Sequence, residues 1–375
     1  MSLGFKSVLL GTLASFAALH LTPATWIEAL YCERVYPEVF RLQNAAFGSL
    51  GFPASEGLLA FAFGSLSMLA LNGLSKGIRG RCSWSEVMRR GASRLVFLGC
   101  ICYLAFLGLW GFHHGRLPYA THLGLDRYPG SQLLVTQTAE LEALCRTLVD
   151  GCNDLQPLVT PHRMGQGSLQ ERAVAIQAMS ALSKATPMFH GLEPSFRLAT
   201  FSPLLSRLGI SGIYSPFTGD AHINGQQPNW SQPFTACHEM AHQLGIAREG
   251  EANFVAWQAC MGSDSVELRY SAYMAALGPA CNALFGLQEG REDSVVFAIL
   301  DGLSPEVKAE RESAAIWWAE QMGLPGDLAR ATNHVYLQSQ GQGDGVASYG
   351  FLVDLILAER RRDSAGLGDG KETAK

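Results

Sequence analysis

Apolar and polar positions divide the chain into stretches of different character. In the first third, three runs are apolar all round: residues 8–27, 57–74 and 95–112. The second and third carry no charge and are long enough to cross a bilayer as helices. The first follows Lys6, bends at Pro23 and reads equally as a signal peptide. Beyond His113 the apolar positions recur three and four apart, predicting helices over 133–149 and 167–185. The segment 210–216 is β-branched and Gly-bounded, as a strand is, and 217–224 continues it as a second strand after a turn. Helices follow over 233–244, 251–261, 266–284, 293–303, 305–322 and 348–361. Ser304 and Pro305 form a helix-start pair. The expected fold class is mainly α (α+β). A membrane domain of three transmembrane helices fills 1–116. A predominantly helical domain with a small β element fills 117–362, and a polar, disordered tail fills 363–375.

Composition supports that division. The chain has 375 residues, of which 48% are hydrophobic and 16% charged, too apolar for an ordinary soluble enzyme. Lys76, Arg79, Arg81, Arg89, Arg90 and Arg94 lie between the second and third runs, opposed only by Glu86. The positive-inside rule places that loop in the cytoplasm and everything after His113 outside it. A net charge of −5 without a basic, aromatic-interleaved stripe argues against a nucleic-acid partner. The Gly-rich loop 338–345 lacks the GK[ST] of a phosphate-binding loop, which argues against a nucleotide. Among nine cysteines, Cys145 and Cys152 are close enough in sequence to suggest a pair in an oxidising compartment. Cys237 reads as core, as do Trp317 and Trp318. His113 and His114 read as a polar juxtamembrane interface.

The chemistry is concentrated at 238–242, which read His238-Glu239-Met240-Ala241-His242. In a helix, positions i and i+4 share a face, so the two histidines can close on one zinc ion. Glu239 stands where it can take a proton from a water activated by that ion. Ser231 reads as N-cap and Pro233 as first-turn residue, while Gly245 ends the helix. A third ligand is needed, and Glu249 and Glu251 follow at once. Tyr270, Tyr273, Arg269 and His222 are the candidates for an oxyanion donor.

Residues 249–256, Glu249-Gly250-Glu251-Ala252-Asn253-Phe254-Val255-Ala256, resemble the second motif of the glutamate-ligand zincins (gluzincins). The resemblance implies Glu249 as ligand, with Glu251 as competitor because the linker from His242 is short. It places Asn253 where an Asp would orient a histidine ring. Taken with residues 214–219, 233–243 and 345–350, the chain resembles an uncharacterised family of bacterial membrane-anchored proteins regarded as zinc metallopeptidases. That implies a zincin-like domain outside the bacterial inner membrane, one Zn2+ and a peptide or protein substrate. The rival reading is a non-catalytic zincin-fold scaffold for envelope assembly that binds a partner peptide. Intramembrane proteolysis is excluded by the polarity of residues 229–253.

Overall fold

The computed structural model describes residues 11–12, 15–16, 19–125, 135–159, 169–287, 295–322 and 350–372. The chain forms two compact units: residues 1–116 with 215–220, and 117–214 with 221–375.

In the first unit, the expected span 8–27 falls partly outside the described residues. Its described part is helical to Leu21 and is interrupted at Thr22 and Pro23. Pro23 has no amide N–H to continue the ladder, and Glu28 follows within two turns. Among the described residues, two helices rather than three are therefore long and apolar enough to cross a membrane. After helix α1 (Tyr36–Phe47) these are α2 (Ala54–Ile78) and α3 (Trp84–Leu109). At 1.5 Å per residue, the 25 residues of α2 reach about 37 Å, more than a hydrocarbon core. Its large side chains face outward, Phe61 and Phe63 among them. Ser83 caps α3 by accepting from the Glu86 amide at 3.3 Å.

Ahead of α1, Ile27–Val35 winds as a π-helix. It buries Glu28, Tyr31 and Cys32 on one side. The Arg116 guanidinium takes both Glu28 carboxylate oxygens, Nε to Oε2 at 3.2 Å. His113 is buried rather than interfacial, its Nδ1 3.5 Å from Cys32 Sγ and its ring edge-on to Tyr36 at 4.2 Å. Burial, together with Arg116, pushes its pKa far down, so the ring is neutral. Residues 215–220 belong to this unit. Gln43 Nε2 donates to the Pro216 carbonyl at 2.7 Å, and the Ser55 amide donates to Asp220 Oδ2 at 3.1 Å.

In the second unit, α4 (Val135–Leu155) and α5 (Leu169–Ala185) precede β1 (Phe196–Leu198). Short α6 (Ser202–Leu208), β2 (Gly212–Ser215) and β3 (Asp220–Ile223) follow. The sheet order is β1-β3-β2. β1 and β3 are parallel, with Phe196 opposite Ala221 and Leu198 opposite Ile223. The Asn224 amide on the Ser211 carbonyl and the Gly219 amide on the Ser215 carbonyl make β2 antiparallel to β3. This leaves β2 on an edge. β1 lies outside the sequence expectation, because three residues carry no readable alternation.

The remaining helices are α7 (Gln232–Gln243), α8 (Glu249–Met261), α9 (Val266–Leu287), α10 (Val295–Asp301), α11 (Pro305–Gln321) and α12 (Gly350–Glu372). Every residue of α7 is buried, so it is the central helix of the unit. α8 packs along it, and α9 packs along α4. Leu144, Leu148, Leu277 and Leu284 have no exposed surface, and each such burial contributes about 1.5–3 kcal/mol. Ser304 caps α11 as its sequence predicts, accepting from the Val307 amide. Trp317 and Trp318 are half-buried rather than core and pack on each other, ring centroids 4.8 Å apart. α12 runs through 363–372, where the composition suggests a tail. The loop 338–345 lies outside the described residues.

Candidate metal centre

The turn after α7 decides the geometry. Gly245 takes φ 85°, which only glycine adopts freely. The chain then folds back, with the Gly245 amide on the His242 carbonyl and the Ile246 amide on the Ala241 carbonyl. This brings the Ile246 carbonyl to 2.7 Å from His242 Nδ1. Nδ1–H donates there, which turns Nε2 toward His238 and Glu249. At the other end of α7, Ser231 holds the N-cap position, but its hydroxyl makes no capping bond and donates instead to the Pro228 carbonyl. The buried first-turn amide of Phe234 is satisfied instead by Ser271 Oγ of α9 at 3.0 Å. Gln243 Oε1 accepts from the Ser195 amide at 2.8 Å, fastening the approach to β1.

Only five residues separate α7 from α8, so Glu249 enters α8 beside the two histidines. His238 and His242 Nε2 lie 3.1 Å apart. Glu249 Oε2 is 3.2 Å from His238 Nε2, and its Oε1 is 3.6 Å from His242 Nε2. Ligand atoms of all three lie within 4.8 Å of one another, the one such grouping among the described residues. Two imidazoles and a carboxylate converging in this way are a donor set that suits zinc.

The electrostatics reflect the crowding. Burial works against a charged His242, but Glu249 outweighs it and raises the imidazole pKa to about 9. Burial likewise works against ionised Glu249, and the two histidines outweigh it, holding the carboxyl far below its usual range. Glu239, 5% exposed, is pushed up by burial despite both histidines, with Glu249 adding to the rise. A cation in place of the shared protons would satisfy the same groups.

Glu251 lies elsewhere. It is buried, takes the Tyr119 amide on Oε1 at 2.8 Å and pairs with Arg248 Nη1 at 3.5 Å. Asn253 is buried one turn after Glu249, and its Nδ2 has no hydrogen-bond partner, nor has His238 Nδ1. The Tyr270 hydroxyl donates to Glu310 Oε2 at 2.6 Å. Tyr273 stacks edge-on against Trp257 and covers Gly151. His222 sits in β3, in register with Arg197 of β1. Arg269 is half-buried on α9, its Nε without a partner.

Two neighbours of the centre escape the sequence reading. A Cβ on Gly212 of β2 would fall 2.5 Å from Glu239 Oε1 and 2.7 Å from its Cγ, so the strand backbone lies directly against this carboxylate. Tyr214, two residues along and on the same strand face, stacks over His242 with ring centroids 6.5 Å apart. The available signal was the period of two, Gly212 and Tyr214, inside an expected strand.

The chain belongs to the family described as "Protein of unknown function (DUF3810)", whose model matches residues 31–357. No curated protein and no solved structure matches it. The family description names no activity, so any metallopeptidase reading rests on the residues alone.

Proposed function

We propose that this protein is a membrane-anchored, zinc-dependent peptidase. The observation that carries the reading is the convergence of His238, His242 and Glu249, with Glu239 buried beside them under the edge strand. Zinc bound by the three ligands supplies a Lewis acid that acidifies water and polarises a carbonyl. The chain's own residues do the rest. His242 is oriented through the Ile246 carbonyl. Glu239 takes the proton of the attacking water and passes it to the leaving amine. Its raised proton affinity suits that shuttle. β2, at the sheet edge, can pair with an extended substrate backbone, and its Gly212 lies directly against the Glu239 carboxylate. The basic residues between α2 and α3 favour the cytoplasm, which puts the second unit outside it.

The test uses the full chain in detergent. Metal analysis should return one zinc per chain, and a peptide library should be cleaved by the parent and left intact by Glu239→Gln. A zinc-free protein, or cleavage by Glu239→Gln at the parent rate, would sink the proposal. Full zinc occupancy without any cleavage would favour the scaffold reading.

A further inference from the structure

The two long apolar helices of the first unit carry arginines alongside uncharged surface. α2 and α3 meet on a glycine face: a Cβ on Gly77 would stand 3.1 Å from the Trp84 ring, and one on Gly73 would stand 3.5 Å from Val87 Cγ1. Small residues four apart let two helices approach this closely. The two contacts set an antiparallel register. Arg94 lies seven residues past Val87 on the same helix face, and so comes level with about residue 66 of α2, seven before Gly73. Arg90, one turn nearer the loop, comes level with about residue 70. Both arginines are exposed. Both stand beside the uncharged stretch 57–74, Arg94 about 12 Å inside its end at Leu74. Arg90 is paired with Glu86, whereas Arg94 forms no ion pair among the described residues. Between them, Gly91 lies on the contact face one turn past Val87, yet no described atom comes within 4 Å of where its Cβ would be. The helices leave an open notch there, flanked by two guanidiniums and bordered by the exposed Leu69 of α2.

Guanidiniums in this place are costly without an anion. If hydrocarbon reaches Leu74, Arg94 lies within it, and an extended arginine stem recovers only about half of that depth. If hydrocarbon stops at Arg94, the exposed Met68, Leu69 and Leu71 face water. We propose that the notch at Gly91 binds an anionic phospholipid, its phosphate taken by Arg94 and Arg90 and an acyl chain laid over Leu69. Such a lipid relieves both costs at once. Arginine suits the task because its planar fork meets two phosphate oxygens together. Glu86 offsets one of the two guanidiniums, and a phosphodiester balances the other. Basic residues between membrane helices are a recurrent setting for lipid headgroups. The proposal rests on α2 and α3 lying in a bilayer and is independent of the metal centre.

The experiment takes full-length protein in a non-ionic detergent, stripped of lipid, and titrates it with phosphatidylglycerol, phosphatidylcholine or inorganic phosphate. Bound lipid is counted by native mass spectrometry. The parent should bind phosphatidylglycerol at least about tenfold more tightly than phosphatidylcholine, and inorganic phosphate should not displace it. Arg94→Gln, and Gly91→Leu, which fills the notch, should each weaken that binding about tenfold. Arg89→Gln removes the same charge from the face turned away from α2 and should leave it unchanged. Equal binding of the two lipids, displacement by inorganic phosphate, or an equal loss in Arg89→Gln overturns the proposal. The lipid comparison on the parent decides the matter by itself if a variant misfolds. Carbonate extraction of native membranes keeps anchoring and site apart. A chain released by carbonate refutes the anchoring and the site together, and a retained chain with no lipid preference refutes the site alone.

Discussion

Gly212→Ala is the most incisive perturbation of the site. Its φ does not lie in the left-handed region, so the backbone accepts alanine and only the added methyl matters. That methyl would stand 2.5 Å from Glu239 Oε1, 2.7 Å from Cγ and 2.9 Å from Cδ, against about 3.4 Å for ordinary contact. The carboxylate or the strand must therefore yield by about 0.9 Å. Glu239 is 5% exposed on a helix buried on every side, so it has no open space to enter. Overpacking of this kind costs about 1–3 kcal/mol of stability. A displacement near 1 Å of a reacting group costs about 100-fold in rate. The expected outcome is a lowered melting temperature, hydrolysis reduced about 100-fold and undiminished zinc content, since Glu239 is not a ligand. A double-mutant cycle isolates the cause: on a Glu239→Ala background the stability cost of Gly212→Ala should vanish. Parent-like stability and rate in the single variant, or an equal penalty on both backgrounds, would refute the reasoning.

The other expectations concern ligands, pH and the first unit. His238→Ala should lose the metal, as read by elemental analysis. Glu249→Ala should lose zinc while remaining folded. Glu251→Ala should keep zinc but lower stability by about 1.5–3 kcal/mol in a denaturant titration, because it strands the buried Tyr119 amide. In metal-free protein His242 is raised from 6.5 to about 9, so its proton stabilises the fold fully below about pH 6.5, and that contribution is lost as pH rises through about 9. Zinc needs the neutral ring, so its affinity should rise roughly tenfold per pH unit across that window and then level off. A flat zinc titration across the same window would contradict the pairing. Arg116→Met removes the guanidinium paired with the buried Glu28 carboxylate and should destabilise the protein by about 3–5 kcal/mol in a thermal melt, an expectation that fails if Glu28→Gln costs as much as the arginine change.

Features written in local sequence were legible. The helix carrying the HExxH needs only its apolar spacing and Gly245, and its observed bounds differ from the expected ones by a single residue at each end. Ser304 capped its helix as read, whereas Ser231 did not. The difference is tertiary: Ser271 on a distant helix reaches the amide that Ser231 would have served. The choice between Glu249 and Glu251 was equally hidden, because both sit in one helical turn and it is tertiary contact, the Tyr119 amide among it, that draws Glu251 away. Gly212 fell inside the expected strand 210–216, and its closeness to Glu239 depends on a sheet order that no local pattern encodes. The described part of the first apolar run is interrupted for a local reason visible in the sequence, Pro23, which mean hydropathy does not register.

The five-residue connection between α7 and α8 has a consequence for how the protein is made. All three ligand residues fall within 238–249, so the loop that metal binding must close is short and its entropic cost is small. The centre needs no partner from the distant helices α9 to α12. A nascent chain that has exposed residue 249 already holds a complete donor set. On the proposed zinc reading, the ion can then act as an early nucleus around which the later helices assemble, and metal supply during synthesis would govern folding yield.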